Sequence, residues 1–292
     1  MDLSRAKTVL IAAFFILNLF LLYQIWVEDG RDNPVLFGQK EEVSRLEAAL
    51  QQANLSLETT LPRGGMRAAY LVVMPWQPDL EEVALNFWQL LANKDGEETL
   101  LPDDLQVIRE NNDHNITICR FGSYEMLLLK EGSLLLRHAF RGLTREKLGI
   151  TVDELIKRVP FLQDFVYDYK AEEEEKVVLY YRQDYEGFPL YAGYLQFSHQ
   201  EEPDGDIYLY RLEPLGFAEQ QREVIPPSTA LWRFLETYTA RDEVPTAIVE
   251  FSLGYYSEEY DAQRWEIAPV WRIRLRNGEI YYINAFTGYR EN

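Results

Sequence analysis

The feature that most constrains this chain is an apolar run from Val9 to Val27, broken only by Asn18, Tyr23 and Gln24. At about 1.5 Å per residue, a helix over that run reaches roughly 28 Å, close to the ~30 Å hydrocarbon thickness of a bilayer. A cleaved export signal has a shorter apolar region followed by small residues. Here the run leads into Tyr23, Gln24, Ile25, Trp26, Val27, Glu28 and Asp29, which are bulky or charged, so the stretch reads as a permanent anchor. Arg5 and Lys7 precede it while Glu28 and Asp29 follow, which orients residues 1–8 to the cytoplasm and the bulk of the chain outward. Arg5 and Lys7 then serve as inner-interface anchors, and Tyr23 and Trp26 as outer-interface anchors. The sequence holds no second apolar run of that length, so the expectation is a single-pass protein of the cell membrane.

An amide sits at the middle of this span. Asn18 shares a stripe with Ile11, Phe14 or Phe15, Leu22 and Ile25 at spacings of three and four residues, one face of a helix. Two readings stand side by side: a tolerated amide in an ordinary anchor, or a contact to a partner helix. In the second, a hydrogen bond from Asn18 across the stripe adds ~0.6–2 kcal/mol to helix association.

Across the whole chain 48 acidic residues oppose 29 basic ones, a formal charge of −19, and only Asp2, Arg5 and Lys7 precede the span. A surface of that sign is repelled by nucleic acid and by anionic envelope polymers, which excludes a nucleic-acid role. The one cysteine, Cys119, forms no intramolecular disulfide. Residues 28–39 mix Gly, Pro, Asn and Asp and read as a linker. Residues 40–143 then give an amphipathic helix (Val43, Leu46, Ala49, Leu50), a strand, a second helix (Leu80, Val83, Phe87, Leu90, Leu91) and three strand-like runs. From 144 the pattern begins again: a helix stopped by Pro160, alternating aromatic runs, a helix after Pro226-Pro227-Ser228, and closing strands with a two-residue turn at Asn277-Gly278. The expected fold class is α+β: one N-terminal transmembrane helix and two extracytoplasmic domains, 40–143 and 144–292, of antiparallel sheet with packed helices.

Residues able to carry chemistry are sparse. His114, His138 and His199 lack the close spacings of zinc sites, and no HExxH, CxxC or GxSxG motif occurs. Pro203-Asp204-Gly205-Asp206 resembles a fragment of a calcium loop without the remaining ligands and reads as a hairpin turn. Glu172 to Glu175 reads as a solvated lead-in, and Asn115-Ile116-Thr117 is a glycosylation sequon inside a strand. Tyr180, Tyr181, Tyr191, Tyr194, Trp265, Trp271, Tyr281 and Tyr282 fit sheet faces and core, or the lining of a groove. We expect no catalytic residue, no cofactor and no metal.

The opening "MDLSRAKTVLIAAFFILNLFLLYQ" resembles the start of the YycI (WalI) family. The matching features are Asp2, Ser4, Arg5, Lys7 and Thr8, a span with a polar residue near its centre, and Tyr23-Gln24 at its end; Leu3 stands where that family has a tryptophan. The ending "PVWRIRLRNGEIYYINAFTG" is similar to YycH/YycI-type and PepSY-like modules. The resemblance implies a non-enzymatic regulator associating with a YycG/WalK sensor histidine kinase and a YycH-like sibling, largely through transmembrane helices, and altering cell-wall metabolism. Competing classes are a PepSY-like inhibitor or ligand-binding module acting through its outer domain, and an envelope hydrolase.

Overall fold

The computed structural model describes residues 14, 17–18, 35–62, 64–91, 105–109, 116–121, 124–129, 132–139, 145–172, 176–200, 205–239, 244–258 and 262–291. The chain divides into two compact units, residues 1–53 and 54–292. The fold is mixed α+β and dominated by sheet.

In the first unit, helix α1 (Val35–Gln52) begins inside the expected linker. The turn-forming residues end at Pro34, and the glycine within the helix, Gly38, costs only about 1 kcal/mol there. Leu46 and Leu50 are buried on the face their spacing predicts. The helix closes where the Ala53 N–H donates to the Ala49 and Leu50 carbonyls, and Asn54 follows with φ of 57°.

The second unit opens with three short strands, β1 (Leu55–Leu57), β2 (Arg67–Ala68) and β3 (Leu71–Pro75). Helix α2 (Leu80–Leu91) starts at Asp79, whose Oδ1 accepts the Glu81 and Glu82 N–H groups at 3.0 and 3.4 Å. Four antiparallel strands follow: β4 (Gln106–Arg109), β5 (Thr117–Phe121), β6 (Tyr124–Leu128) and β7 (Leu134–Arg137). Helix α3 (Arg145–Arg158) then repeats the order with β8 (Phe165–Glu172), β9 (Lys176–Tyr185), β10 (Phe188–Gln200) and β11 (Asp206–Tyr210). The pattern that restarts near residue 144 is therefore a repeat of one helix and four strands. It does not mark two separate domains: β7 pairs with β11, so the two meanders join through their last strands in the order β4-β5-β6-β7-β11-β10-β9-β8. A hydrophobic row at matched register makes the joint continuous. Val107, Cys119, Met126, Leu136, Ile207, Phe197 and Leu179 lie opposite one another across seven strands. All but Val107 are buried, in one core with Val83, Ala84 and Phe87 of α2 and Val152 and Leu155 of α3.

The rest of the chain adds β12 (Leu212–Phe217), β13 (Arg222–Glu223), helix α4 (Pro227–Thr237), β14 (Thr246–Tyr255), β15 (Trp265–Ile267), β16 (Pro269–Leu275) and β17 (Ile280–Asn284). Strands β1, β14, β16 and β17 pair side by side and reach the long sheet at one point, the parallel bridge of Tyr255 to Leu190 on β10. Strands β12, β3 and β15 form a second sheet, whose Leu71, Val73, Leu212 and Ile267 share a core with Leu190, Ala192 and Tyr255 at this joint. Pro226 and Pro227 start α4, and its Phe234 ring lies 5.0 Å from that of Tyr281 on β17.

The two hairpin turns differ from expectation. Only Gly278 has positive φ in "RNGE"; its N–H donates to the Leu275 carbonyl, and the Leu275 N–H to that of Glu279, a three-residue loop with glycine in the left-handed position. The two-residue turn with both φ values positive is Glu186-Gly187, which splits one long aromatic run into β9 and β10. At the sheet joint a Cβ on Gly254 would lie 2.6 Å from the Pro189 carbonyl and 2.5 Å from the Tyr191 ring. Gly254→Ala is expected to lower unfolding free energy by about 1–3 kcal/mol, measured by urea denaturation, because the backbone of β10 must give way.

Candidate functional site

Among the described residues of the second unit, a concentrated cluster of polar side chains lies where β8 faces β16. Along β16 the residues alternate. Trp271 and Ile273 take the side covered by α4, where the Trp271 indole N–H donates to the Ile225 carbonyl. Arg272 and Arg274 take the other. Arg272 has a side chain only 1% exposed, and its two terminal nitrogens each donate to one carboxylate oxygen of Asp168 at 2.7 Å. Asp168 reaches it because β8 bulges there: the register against β9 shifts between Tyr167 and Tyr169, so both Asp168 and Tyr169 turn toward the arginines. Tyr181, opposite Tyr167, takes the other side and donates to Asp153 Oδ1 of α3 at 3.5 Å.

A second carboxylate completes the cluster. Glu250 on β14 accepts from Arg274 Nε at 2.9 Å, from Ser252 Oγ at 2.9 Å and from Arg272 at 3.4 Å. Ser252 meets the Tyr191 hydroxyl at 2.8 Å. The Arg272 guanidinium carbon lies 4.6 Å from the Tyr191 ring centre and 5.9 Å from that of Tyr169, and Arg274 lies 5.4 Å from the latter. Tyr169 stacks on Tyr180 at 4.4 Å, and Tyr282 on Tyr256 at 3.8 Å. Arg182 approaches Asp168 at 3.5 Å. Three guanidiniums and two carboxylates thus share one aromatic-walled space, locally positive in a strongly acidic protein.

Burial alone lowers the pKa of Arg272, but the Asp168 hydrogen bonds and the nearby negative groups outweigh it and raise the value. For Glu250 burial pushes upward, while Arg272, Arg274 and Ser252 together hold the carboxyl below its ordinary 4.5. Burial, with Tyr180 beside it, pushes the Tyr169 hydroxyl to about 12. These shifts keep Arg272 charged and the Glu250 carboxyl ionised at neutral pH. Each charge faces an opposite charge, the arrangement of a fastener between sheets.

Other sequence candidates are dispersed. Cys119 is buried in the long sheet, and burial, with Glu81 beside it, raises its thiol to about 11. His138 follows β7 and His199 lies near the end of β10, on either side of the start of β11, and His114 is outside the described residues. Asp206 Oδ1 accepts the His138 backbone N–H, a role in the start of β11. Among the described residues no group of three or more His, Cys, Asp or Glu is placed to hold a metal ion. Of the candidate aromatics, Trp271, Tyr181, Tyr191, Tyr281 and Tyr282 are buried in sheet faces.

The family described as "YycI protein" matches residues 37–286, most of the chain. The chain belongs to the YycI family. The YycI family is a regulatory family. An uncharacterized protein from Eubacterium rectale ATCC 33656 is similar in structure, with a TM-score of 0.47, 10% identity, 86% of this chain covered and 98% of that one. The Bacillus megaterium YpeB C-terminal domain gives a TM-score of 0.42 and 12% identity, with 75% and 97% covered. No curated protein matches the chain.

Of the anchor contacts expected from the sequence, Ile11, Phe15, Leu22 and Ile25, with Arg5, Lys7, Tyr23 and Trp26, lie outside the described residues. Phe14, Leu17 and Asn18 are described and helical, with Phe14 67% and Leu17 53% exposed. Asn18 Nδ2 donates to the Phe14 carbonyl one turn back at 3.0 Å. This spends one of the amide's two N–H groups and leaves its other N–H and its oxygen for a neighbour. Among the described residues no helix is long and apolar enough to cross a membrane.

The arginine fastener generates two expectations. Asp168→Asn leaves buried Arg272 with only the longer Glu250 contact and is expected to cost about 3–5 kcal/mol in urea denaturation, whereas exchanging both Arg272 and Asp168 for apolar residues of similar volume should restore most of it. Because the Glu250 carboxyl is held below its ordinary pKa, it adds stability above that range and loses it as pH falls through the lowered value. Glu250→Gln should therefore be less stable at pH 7 and show a shallower fall of melting temperature between about pH 5 and pH 3.

Proposed function

We propose that this YycI family member is a single-pass regulator of the cell membrane whose residues 9–27 cross the bilayer, with the N-terminus cytoplasmic and the bulk of the chain extracytoplasmic. It associates with a YycG/WalK-like sensor histidine kinase and a YycH-like membrane protein, and modulates two-component signalling that controls cell-wall metabolism. The observation that carries this reading is the family match over residues 37–286, joined to an apolar run of membrane length in front of it.

The physical logic is that of a bistable kinase, which responds to a partner that binds its two states differently. A helix packed beside the kinase's own spans supplies that difference. The free N–H and oxygen of Asn18 make a directional contact in hydrocarbon, where no water competes for them. Arg5 and Lys7 fix the depth of the helix at the inner interface. The Ile11, Phe14, Phe15, Leu22 and Ile25 side chains supply the packing around the amide. The outer part is built for rigidity, with its buried charges paired, and presents a fixed surface to the partners.

Co-purification from membranes tests the proposal. The native chain is expected to capture the kinase and the sibling, and a chain whose residues 9–27 are replaced by an unrelated span should not. Asn18→Leu should weaken capture by about 3- to 30-fold, the equivalent of one intramembrane hydrogen bond. Equal capture by native and exchanged spans would make the span a tether only, and capture by neither would overturn the regulator reading.

A further inference from the structure

The repeat of one helix and four strands gives the long sheet two equivalent edges, β4 and β8. They are finished differently. Strand β8 has its bulge residues Asp168 and Tyr169 engaged by Arg272 and Arg274 of β16. Strand β4 pairs, among the described residues, on one side only, with β5. Its central residues are aliphatic, yet Val107 is 39% and Ile108 36% exposed, on opposite faces of the sheet. The hydrophobic row that crosses the sheet from Leu179 thus runs out into solvent at Val107. Beside that row, between the sheet and the start of α2, lies a groove of about 460 Å³ lined by Pro78, Asp79, Leu80, Glu81, Val107, Thr117 and Leu128.

We propose that the β4 edge and this groove form a docking site for an extended segment of a partner protein in which basic residues alternate with aliphatic ones. The edge dictates the backbone: a strand added beside β4 pairs with its outward N–H and C=O groups, and its side chains alternate between the two faces of the sheet. The groove dictates the chemistry on one face. An added side chain there meets Leu80 and Val107 along its stem and the carboxylates of Asp79 and Glu81 at its tip, which suits lysine or arginine. On the other face the neighbours are Ile108 and, behind it, Ile118 and Leu127, which suit an aliphatic residue. The chain itself carries such a strand: in β16 Arg272 and Arg274 alternate with Ile273 and Leu275, and its arginines engage a carboxylate and aromatic rings at the other edge strand. A second copy of this chain is a poor occupant, since it would bring another net charge of −19 and another Asp79 and Glu81 to the same edge.

The inference rests on the regulator reading only for which protein carries the segment; the site itself is testable alone. The probe is a fluorescent octapeptide alternating lysine and valine, titrated into the purified full-length chain and followed by anisotropy. Saturable binding that weakens at least tenfold with Glu81→Lys and with Val107→Lys, and that is lost when glutamate replaces lysine in the peptide, supports the site. Both substituted residues are solvent-exposed or edge positions, and an unchanged thermal melt verifies that each variant is folded; Glu81→Gln, expected to weaken binding several-fold, serves where the lysine variant is not. Binding that ignores these substitutions, or that a peptide with its four lysines and four valines in separate blocks reproduces, overturns the proposal. Concentration-dependent dimerisation relieved by Val107→Lys would overturn it in favour of a second copy. Failure of the unaltered chain to capture the kinase would sink the regulator reading and leave the peptide result standing, so the two failures are distinguishable.

Discussion

One buried ion pair decides how the two sheet systems of the second unit meet. Arg272 and Asp168 are nearly removed from water, and desolvating two such charges costs several kcal/mol each before any attraction is counted. The pair persists because the geometry returns most of that cost: two parallel N–H···O bonds, a second carboxylate at Glu250, and aromatic faces above the guanidinium. An apolar contact of the same volume would hold the sheets together as strongly. It would not hold them in one register, because hydrophobic burial is indifferent to direction while a bidentate pair is not. The bulge at Asp168, the close approach at Gly254 and the alternation along β16 are all conditions for that single geometry.

The sequence carried the elements of the fold more clearly than their assembly. Apolar spacing places α1, α2, α3 and α4 and most of the strands, and Pro160 and Pro226-Pro227 mark a helix end and a helix start. The repeat near residue 144 is legible as a restart of the pattern. What pattern cannot reveal is that the two repeats share a sheet. That depends on β7 and β11 presenting matched apolar faces to each other, and Leu136 and Ile207 look like any other strand residues until they are paired. Turn chemistry was misleading for a related reason. Asn-Gly favours the two-residue turn locally, but strand register settles the loop length, and the register gave Asn277-Gly278 a third loop residue and left the left-handed pair to Glu186-Gly187.

The candidate site divides in the same way. Asn18 stood out because an amide amid apolar residues violates the local pattern, and its structural partner, the Phe14 carbonyl, is a short-range contact that spacing allows. The Arg272 cluster did not stand out. Alternating Arg and Ile on a strand is the ordinary signature of one wet face, and only tertiary structure covers that face with Asp168 and Tyr169. The signal available was weak: a closing strand whose Arg272 lies opposite Tyr282, in a chain with far fewer basic than acidic residues.

The placement of Cys119 has a practical and biological consequence. With its thiol in the middle of a sheet under α2 and its pKa raised to about 11, it is protonated and shielded at neutral pH, so alkylating agents and oxidants find no thiolate. The folded second unit therefore offers thiol-directed reagents no reactive thiol. Any cysteine introduced on its surface becomes the sole reactive thiol, and labelling of Cys119 itself would report the opening of the core.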